Sequence, residues 1–282
     1  MISVIIPAHN EEAVITRCLD ALLEHAPPGS LEVLVVCNGC TDRTADLARG
    51  RGEQVQVLEI SVASKVAALN AGDAAATAFP RCYVDADIVV TWSAVRAVSD
   101  VLSNGKVLAA APRIRIELEH CSWCVRSYYL VWQAIPYFKE GTIGAGFYAL
   151  SEEGRSRFDL FPEITADDGF IRSLFGPDER EVVESAEFVM FPPRTLSGVS
   201  AIKTRSRFGT LEQRALLPGQ GDKSDASWRD TIKCICTTPR MWPSVPVYLA
   251  MVCVTRIRAK WRIMSGTSHS WDRDNSSRMR AS

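Results

Sequence analysis

Residues 2–25 read ISVIIPAHNEEAVITRCLDALLEH. A β-branched run, ISVIIP, gives way within a few residues to EEAVITRCLDALLEH, whose apolar positions recur at helical spacing. The strand–helix unit is followed by others of the same kind. PPGS (27–30) breaks the first helix, and LEVLVVC (31–37) reads as a second strand. TDRTADLARG (41–50) is a helix opened by Thr41 or Asp42 and closed by Gly50. VQVLEI (55–60) is the third strand, and the alanine-rich SKVAALNAGDAAATA (64–78) the helix after it. RCYVDADIVV (81–90) contains a fourth strand, SAVRAVSDVLSN (93–104) a helix, and KVLAAAPRI (106–114) a fifth strand. Strands alternating with helices of this length predict an α/β fold, a Rossmann-like, mostly parallel sheet with helices on both faces. Ligands of such open sheets bind outside the carboxyl ends of the strands. His9, Cys37, Asn38, Asp85 and Asp87 all fall at or just beyond strand ends.

The 282 residues suffice for a full core, and 47% apolar with 23% charged residues is the composition of a folded globular protein. A net charge of −1 offers no global attraction for nucleic acid, which is not expected as a partner. The strand-like run beginning at residue 2 leaves no room for a secretory leader, and nine cysteines, mostly inside apolar runs, suit the reduced core of a cytoplasmic protein. Cys121 and Cys124 have the CxxC spacing of metal ligands, but Cys234-Ile-Cys236 is too tight to complete a usual zinc site. Core packing is the better reading.

The second half is less regular. An aromatic-rich helical stretch covers 121–138, and GTIGAGFYAL (141–150) is a glycine-dense segment running into a strand. EITADDGFIRSLF (163–175) places two carboxylates before a short helix, and EVVESAEFVMFPP (181–193) is a strand that two prolines end. AIKTRSRFGTLEQRALLP (201–218) is a basic helix, and residues 218–228 have linker composition. In the tail, 229–282, an apolar stretch from Trp242 to Val254 runs into Arg256, Arg258, Lys260 and Arg262. It is shorter than the roughly 20 residues of a membrane span. Its tryptophans, tyrosine and basic end fit an amphipathic helix lying in a bilayer interface, and equally a terminal helix packed on the domain.

Two clusters carry candidate chemistry. Asp85 and Asp87, one residue apart, would point the same way in a strand and repel unless one is protonated or a cation lies between them. Mg²⁺ typically uses one or two carboxylates together with substrate phosphates, which makes the pair a candidate phosphate-and-metal site. Acidic residues capping the next helix are the bland alternative, although Thr91 and Ser93 are better placed for that. Asp167 and Asp168 serve either as favourable charges at a helix N-terminus or as a general base.

The order of motifs SVIIPAHNEEAVITRCLDAL, EVLVVCNGCTDRTADLA, SKVAALNAG, YVDADIVV and ADDGFIR resembles that of inverting, GT-A-fold glycosyltransferases of the family 2 type, over about residues 1–215. The resemblance implies a hexosyltransferase-type enzyme with a nucleotide-diphosphate-sugar donor, a hydroxyl acceptor and a divalent metal, Mn²⁺ or Mg²⁺, held through a DxD motif. It implies a GT-A domain over 1–217, with a nucleotide-binding half (1–112) and an acceptor-binding half (113–217). Pro7, Ala8, His9 and Glu11 match the loop lining the nucleotide base and ribose, with Lys65 and Asn70 also near the nucleotide. Asp85 matches a ribose or metal contact and Asp87 the main metal ligand. Asp168 aligns with the base and Asp167 with its neighbour in the acceptor site. Gly144 and Gly146 match a glycine-rich segment beside the acceptor sugar, and Arg205 and Arg207 basic residues close to the diphosphate. KTRSRFG departs from the QRRW-like pattern there.

A second departure touches the donor. Where the family often reads VVDDGSTD or VVDNGSTD, this chain has VVCNGCTD, so Cys37 replaces the aspartate that accepts a hydrogen bond from uracil. A thiol is a poor acceptor, and Asn38 offers its amide oxygen instead. The acceptor stays open between a polysaccharide, a membrane-borne lipid-linked sugar and a small molecule, and the basic tail leans towards a peripheral position on the cytoplasmic face of a membrane. Two rivals stand beside this reading. A sugar nucleotidyltransferase would carry a glycine-rich, basic first loop, and PAHNEEA has neither glycine nor base. A non-catalytic, membrane-associated nucleotide-sugar-binding module is favoured by Cys37 and opposed by Asp87 and Asp168.

Overall fold

The computed structural model describes residues 1–135, 145–216 and 228–265. They divide into two compact units that interleave along the chain. The first holds residues 1–115, 143–163 and 174–190, the second 116–142, 164–173 and 191–282. Neither is a continuous half such as 1–112 or 113–217, and the tail belongs with the second unit.

The first unit is built on a mixed eight-stranded sheet. Its strands are β1 (Ile2–Ala8), β2 (Leu31–Asn38), β3 (Val55–Ile60), β4 (Arg81–Val84), β5 (Val89–Val90), β6 (Ala109–Ile116), β7 (Phe147–Leu150) and β8 (Arg180–Met190), in the spatial order 3-2-1-4-7-6-8-5. β1 pairs in parallel with β2 and β4, and β2 with β3, as the alternating pattern predicts. Beyond β4 the pairing turns antiparallel, β7 against β4 and β6, and β5 against β8. β1 and β2 are buried along their whole length. That is why they read as apolar runs rather than alternating ones, since both faces of a parallel sheet are covered.

The helices of this unit are α1 (Ile15–Leu23), α2 (Thr44–Arg49), α3 (Lys65–Ala75), α4 (Trp92–Ser103) and α6 (Glu152–Arg155). α5 lies in the second unit. α1 starts four residues later than its apolar periodicity suggests. Asn10 takes a left-handed φ of 53°, and Thr44 Oγ1 accepts the Glu11 N–H at 2.7 Å, so residues 11–14 form a turn. Thr91 accepts the Ala94 N–H and caps α4, the role expected of it. α3 packs on β1 and β2 at unusually short range. A Cβ at Gly72 would lie 2.6 Å from Ile5 Cγ2 and 3.0 Å from Val36 Cγ2, so a side chain there would force helix and sheet apart.

α3 is also pinned by charge. The Asp73 carboxylate is 6% exposed and receives the Tyr83 hydroxyl at 2.5 Å, Arg81 Nη1 at 2.8 Å and Arg155 Nε at 2.8 Å. Arg81 also donates to the main-chain oxygens of Asp73 and Ala76, clasping the end of α3 against β4. Burial pushes the Asp73 carboxyl up, but the donors from Arg155, Tyr83 and Arg81 outweigh it and hold the group below the usual carboxylate range.

The second unit contains α5 (Trp123–Ala134), α7 (Asp167–Leu174), α8 (Leu196–Leu216), α9 (Trp228–Thr237) and α10 (Val245–Met264). α10 packs on α8 and α5. Of the nine free cysteines, Cys18, Cys37, Cys82 and Cys121 are buried, whereas Cys236 and Cys253 are exposed. Core packing therefore describes fewer of them than the apolar runs implied.

Replacing Asp73 with alanine strands two largely buried guanidinium groups. The expected loss is about 3–5 kcal/mol of unfolding free energy, read by urea denaturation. Because the folded Asp73 is more acidic than the unfolded one, its contribution is complete above about pH 4 and disappears as pH falls through the depressed folded value. The variant should show a correspondingly smaller loss of stability below pH 4.

Candidate active site

β1 has β2 on one side and β4 on the other, so the chain order reverses there and leaves a crevice at the carboxyl ends, where open α/β sheets bind ligands. Pro7 and Ala8 end β1 in register with Val36 and Cys37 of β2, and both are buried. His9 Nδ1 lies 2.5 Å from the Asn38 carbonyl oxygen. Asn38 donates its amide to Ala8 O at 3.0 Å, while its Oδ1 is buried without a hydrogen-bond partner. Glu11 is buried in the turn before α1.

Asp85 and Asp87 do not lie in a strand. β4 stops at Val84, and residues 85–88 form a turn in which the Ile88 N–H points to Asp85 O. The alternation argument for a shared face therefore fails. Each aspartate also has a cation of the chain beside it. Lys65 Nζ, at the start of α3, lies 2.8 Å from Asp85 Oδ1. Arg17 of α1 donates to Asp87 O at 3.2 Å, and the Asp87 charge holds up a guanidinium whose pKa burial lowers. Repulsion alone therefore does not demand a metal. The donor set nevertheless suits one. Asp85 is 36% exposed, and it is Oδ1 that Lys65 contacts. Among the described residues no cluster of three or more histidine, cysteine, aspartate or glutamate side chains could hold a metal. A hard cation here would take further ligands from phosphate and water, as Mg²⁺ does.

Gly146 stands against this turn. Its carbonyl accepts the Asp85 N–H at 2.8 Å, and its φ of 107° belongs to glycine. An added Cβ would meet Ile88 Cγ2 at 3.1 Å and Asp85 Oδ2 at 3.7 Å. Gly146 thus supports the Asp85 turn, while Gly144 lies outside the described residues. Asn70 is likewise committed elsewhere. Its amide donates to Phe161 O at 3.2 Å and accepts Phe161 N–H at 2.8 Å, so it staples α3 to that segment.

In the second unit Asp167 and Asp168 are the first two residues of α7 rather than preceding it. Asp167 is buried, and half-buried Asp168 accepts the Gly169 N–H at 2.9 Å. Lys203 of α8 was not singled out in the sequence. Its ammonium lies 3.9 Å from the Trp132 ring centroid, and burial pushes it down to about 8 while the Asp168 charge pulls it up. Arg207 donates its Nε to Thr255 of α10 at 3.1 Å. Arg205 is half-buried on the same helix.

A second CxxC, Cys37-Asn-Gly-Cys40, was also overlooked in the sequence. The Cys37 thiol is pushed up to about 12 by burial and by Cys40 beside it, and Cys40 Sγ receives the Asn10 N–H at 3.3 Å.

Residues 3–147 match the family described as Glycosyl transferase family 2, and the chain belongs to that family. The probable glycosyltransferase YdaM of Bacillus subtilis (strain 168) is 35% identical over 124 residues, which is 41% of this chain and 30% of that protein. The chain thus matches under a third of the length of that relative. Among solved structures, the mannosyltransferase PcManGT of Pyrobaculum calidifontis, in complex with GDP-Man and Mn²⁺, superposes with a TM-score of 0.63 at 20% identity, covering 94% of this chain and 79% of its own. Glucosyl-3-phosphoglycerate synthase of Mycobacterium tuberculosis, in complex with Mn²⁺, UDP and glucosyl-3-phosphoglycerate, gives 0.57 at 21% identity, covering 76% and 79%. The GT-A fold expected from the motif order is the fold observed.

Gly146→Ala should cost about 1–3 kcal/mol through backbone strain. The cost is read by urea denaturation of the variant against the parent chain.

Proposed function

We propose that the protein is an inverting glycosyltransferase that moves a sugar from a nucleotide-diphosphate donor to a hydroxyl acceptor. The observation that carries this reading is the acidic turn Asp85–Asp87 at the reversal point of the sheet, with Lys65 on Asp85, in a chain of glycosyl transferase family 2. Structural relatives holding GDP-Man or UDP together with Mn²⁺ support a diphosphate and a divalent cation as the ligands of such a turn.

On this reading Pro7, Ala8, His9, Glu11 and Asn38 form the edge that receives the nucleoside, and the buried Oδ1 of Asn38 is the acceptor offered to the base in place of the missing aspartate. Asp87, with Asp85, holds a divalent cation, Mn²⁺ or Mg²⁺. When bound, that cation supplies Lewis-acid stabilisation of the leaving diphosphate. Lys65 adds a fixed positive charge at the same edge and orients Asp85. Asp168 takes the proton of the acceptor hydroxyl as its oxygen bonds to the anomeric carbon. The bond from that carbon to the diphosphate oxygen breaks on the opposite side, and the nucleoside diphosphate departs with inversion. Positive charge builds on the sugar ring in the transition state, as in glycoside hydrolysis. Asp167, buried next to the base, is its neighbour in the acceptor site.

The buried, protonated Cys37 favours the second reading, a nucleotide-sugar-binding module without turnover. Thermal shift with UDP, GDP and dTDP sugars, each with Mn²⁺ and with EDTA, separates the two. A nucleotide at 100 times its Kd should stabilise the fold by about 2.7 kcal/mol, only with metal, and Asp87→Ala should lose the effect. Asp168→Asn should lower kcat by about 10²–10⁴-fold with donor affinity unchanged. Metal-dependent binding without sugar transfer, or an Asp168→Asn enzyme of full activity, would remove the catalytic assignment.

A further inference from the structure

α10 has two apolar faces, and the fold uses one. Tyr248, Met251, Val252, Thr255 and Ala259 are buried against α8 and α5. On the opposite side Val254, Ile257, Trp261 and Met264 follow one another at steps of three, four and three residues, which places them in a single stripe. That stripe faces water. Ile257 is 69%, Trp261 67% and Met264 85% exposed. Arg256 and Lys260 flank it on one side and Arg258, whose Nη1 reaches Ser200 Oγ at 3.0 Å, on the other. α10 contains no aspartate or glutamate. No described helix is long and apolar enough to cross a membrane.

We propose that this outer face of α10 seats the protein on an anionic lipid bilayer, with the Ile257–Trp261–Met264 stripe at the headgroup boundary and the flanking cations on lipid phosphates. A contiguous exposed apolar stripe rimmed by charge marks an interaction surface. Its occupant follows from the charge. Arg256, Arg258 and Lys260 flank the stripe on a helix that carries no carboxylate. Pairing with a second copy of the same stripe would set like charges against each other. A negatively charged lipid surface answers these cations, and a large exposed tryptophan is at home at that boundary. Each cation near such a surface strengthens binding about fivefold, an effect that salt screens. The docking does not depend on the catalytic reading, since it uses neither acidic cluster.

The test is co-sedimentation of the full chain with vesicles of phosphatidylcholine alone and of phosphatidylcholine mixed with phosphatidylglycerol. The expected result is pelleting with the mixed vesicles that weakens steeply with added salt and is at least about tenfold lower for Ile257→Ser/Trp261→Ser. Arg256→Glu/Lys260→Glu should lose anionic binding to a similar degree. All four positions are exposed, so unchanged thermal unfolding of both variants verifies that the fold is intact. Absence of pelleting, equal binding to neutral vesicles, or indifference to both double variants would overturn the proposal. So would a concentration-dependent dimer in sedimentation velocity that Ile257→Ser/Trp261→Ser abolishes, because the stripe would then belong to a second copy.

Discussion

The buried Asp73 carboxylate holds the crevice edge of the sheet in shape. It ties the C-terminal end of α3 to β4 through Arg81 and Tyr83, and to α6 through Arg155. α3 begins with Lys65 and β4 ends one residue before Asp85. An ion cluster well below the crevice thus sets the relation between the two elements whose ends meet there in the 2.8 Å Lys65–Asp85 pair. Gly72 works towards the same end, since the close seat of α3 on Ile5 and Val36 is open only to a residue without a side chain. A buried carboxylate with two guanidinium partners is costly to desolvate, and its hydrogen bonds must all be made for the arrangement to hold. Here the donors come from two elements, β4 and α6, and the acceptor from a third, so they close only when helix and sheet are in register.

The sheet's first half was legible because parallel strands buried on both faces leave apolar runs of five to eight residues, and helices between them leave the longer period. The antiparallel half was less so. β7 has four residues and β5 two, too short for any period to declare itself. The placement of Pro7, His9, Asn38, Lys65 and Asp85 at neighbouring strand and helix ends was legible, and the fold does gather them there. What local pattern could not convey was the use of each side chain. Asn70 sits one and a half turns from Lys65, yet its amide is spent on Phe161, ninety-one residues away in sequence. Lys203 and Trp132 meet only because α8 packs on α5, and no spacing in the chain announces that. The strand-based argument about Asp85 and Asp87 failed for a simpler reason, because β4 ends at Val84, before either aspartate.

The electrostatics of the acidic turn differ from those of two bare carboxylates. With Lys65 on one and Arg17 near the other, the turn is folded and partly neutralised before any ligand arrives. Any ligand of this edge meets Lys65 already positioned and the Asp87 main chain already anchored by Arg17. Such preorganisation lowers the ordering cost of binding.

The interleaving of the two units bears on how the chain can be divided. The family match closes at residue 147, just as β7 begins. In space β7 is the strand between β4 and β6, and β8 is the strand between β6 and β5. A fragment cut at that point would leave β4 and β6 facing a missing partner, with raw hydrogen-bonding edges where the sheet should be continuous. The stretch that identifies the family is therefore not a folding unit, and truncations meant to keep the sheet whole must run at least through Met190.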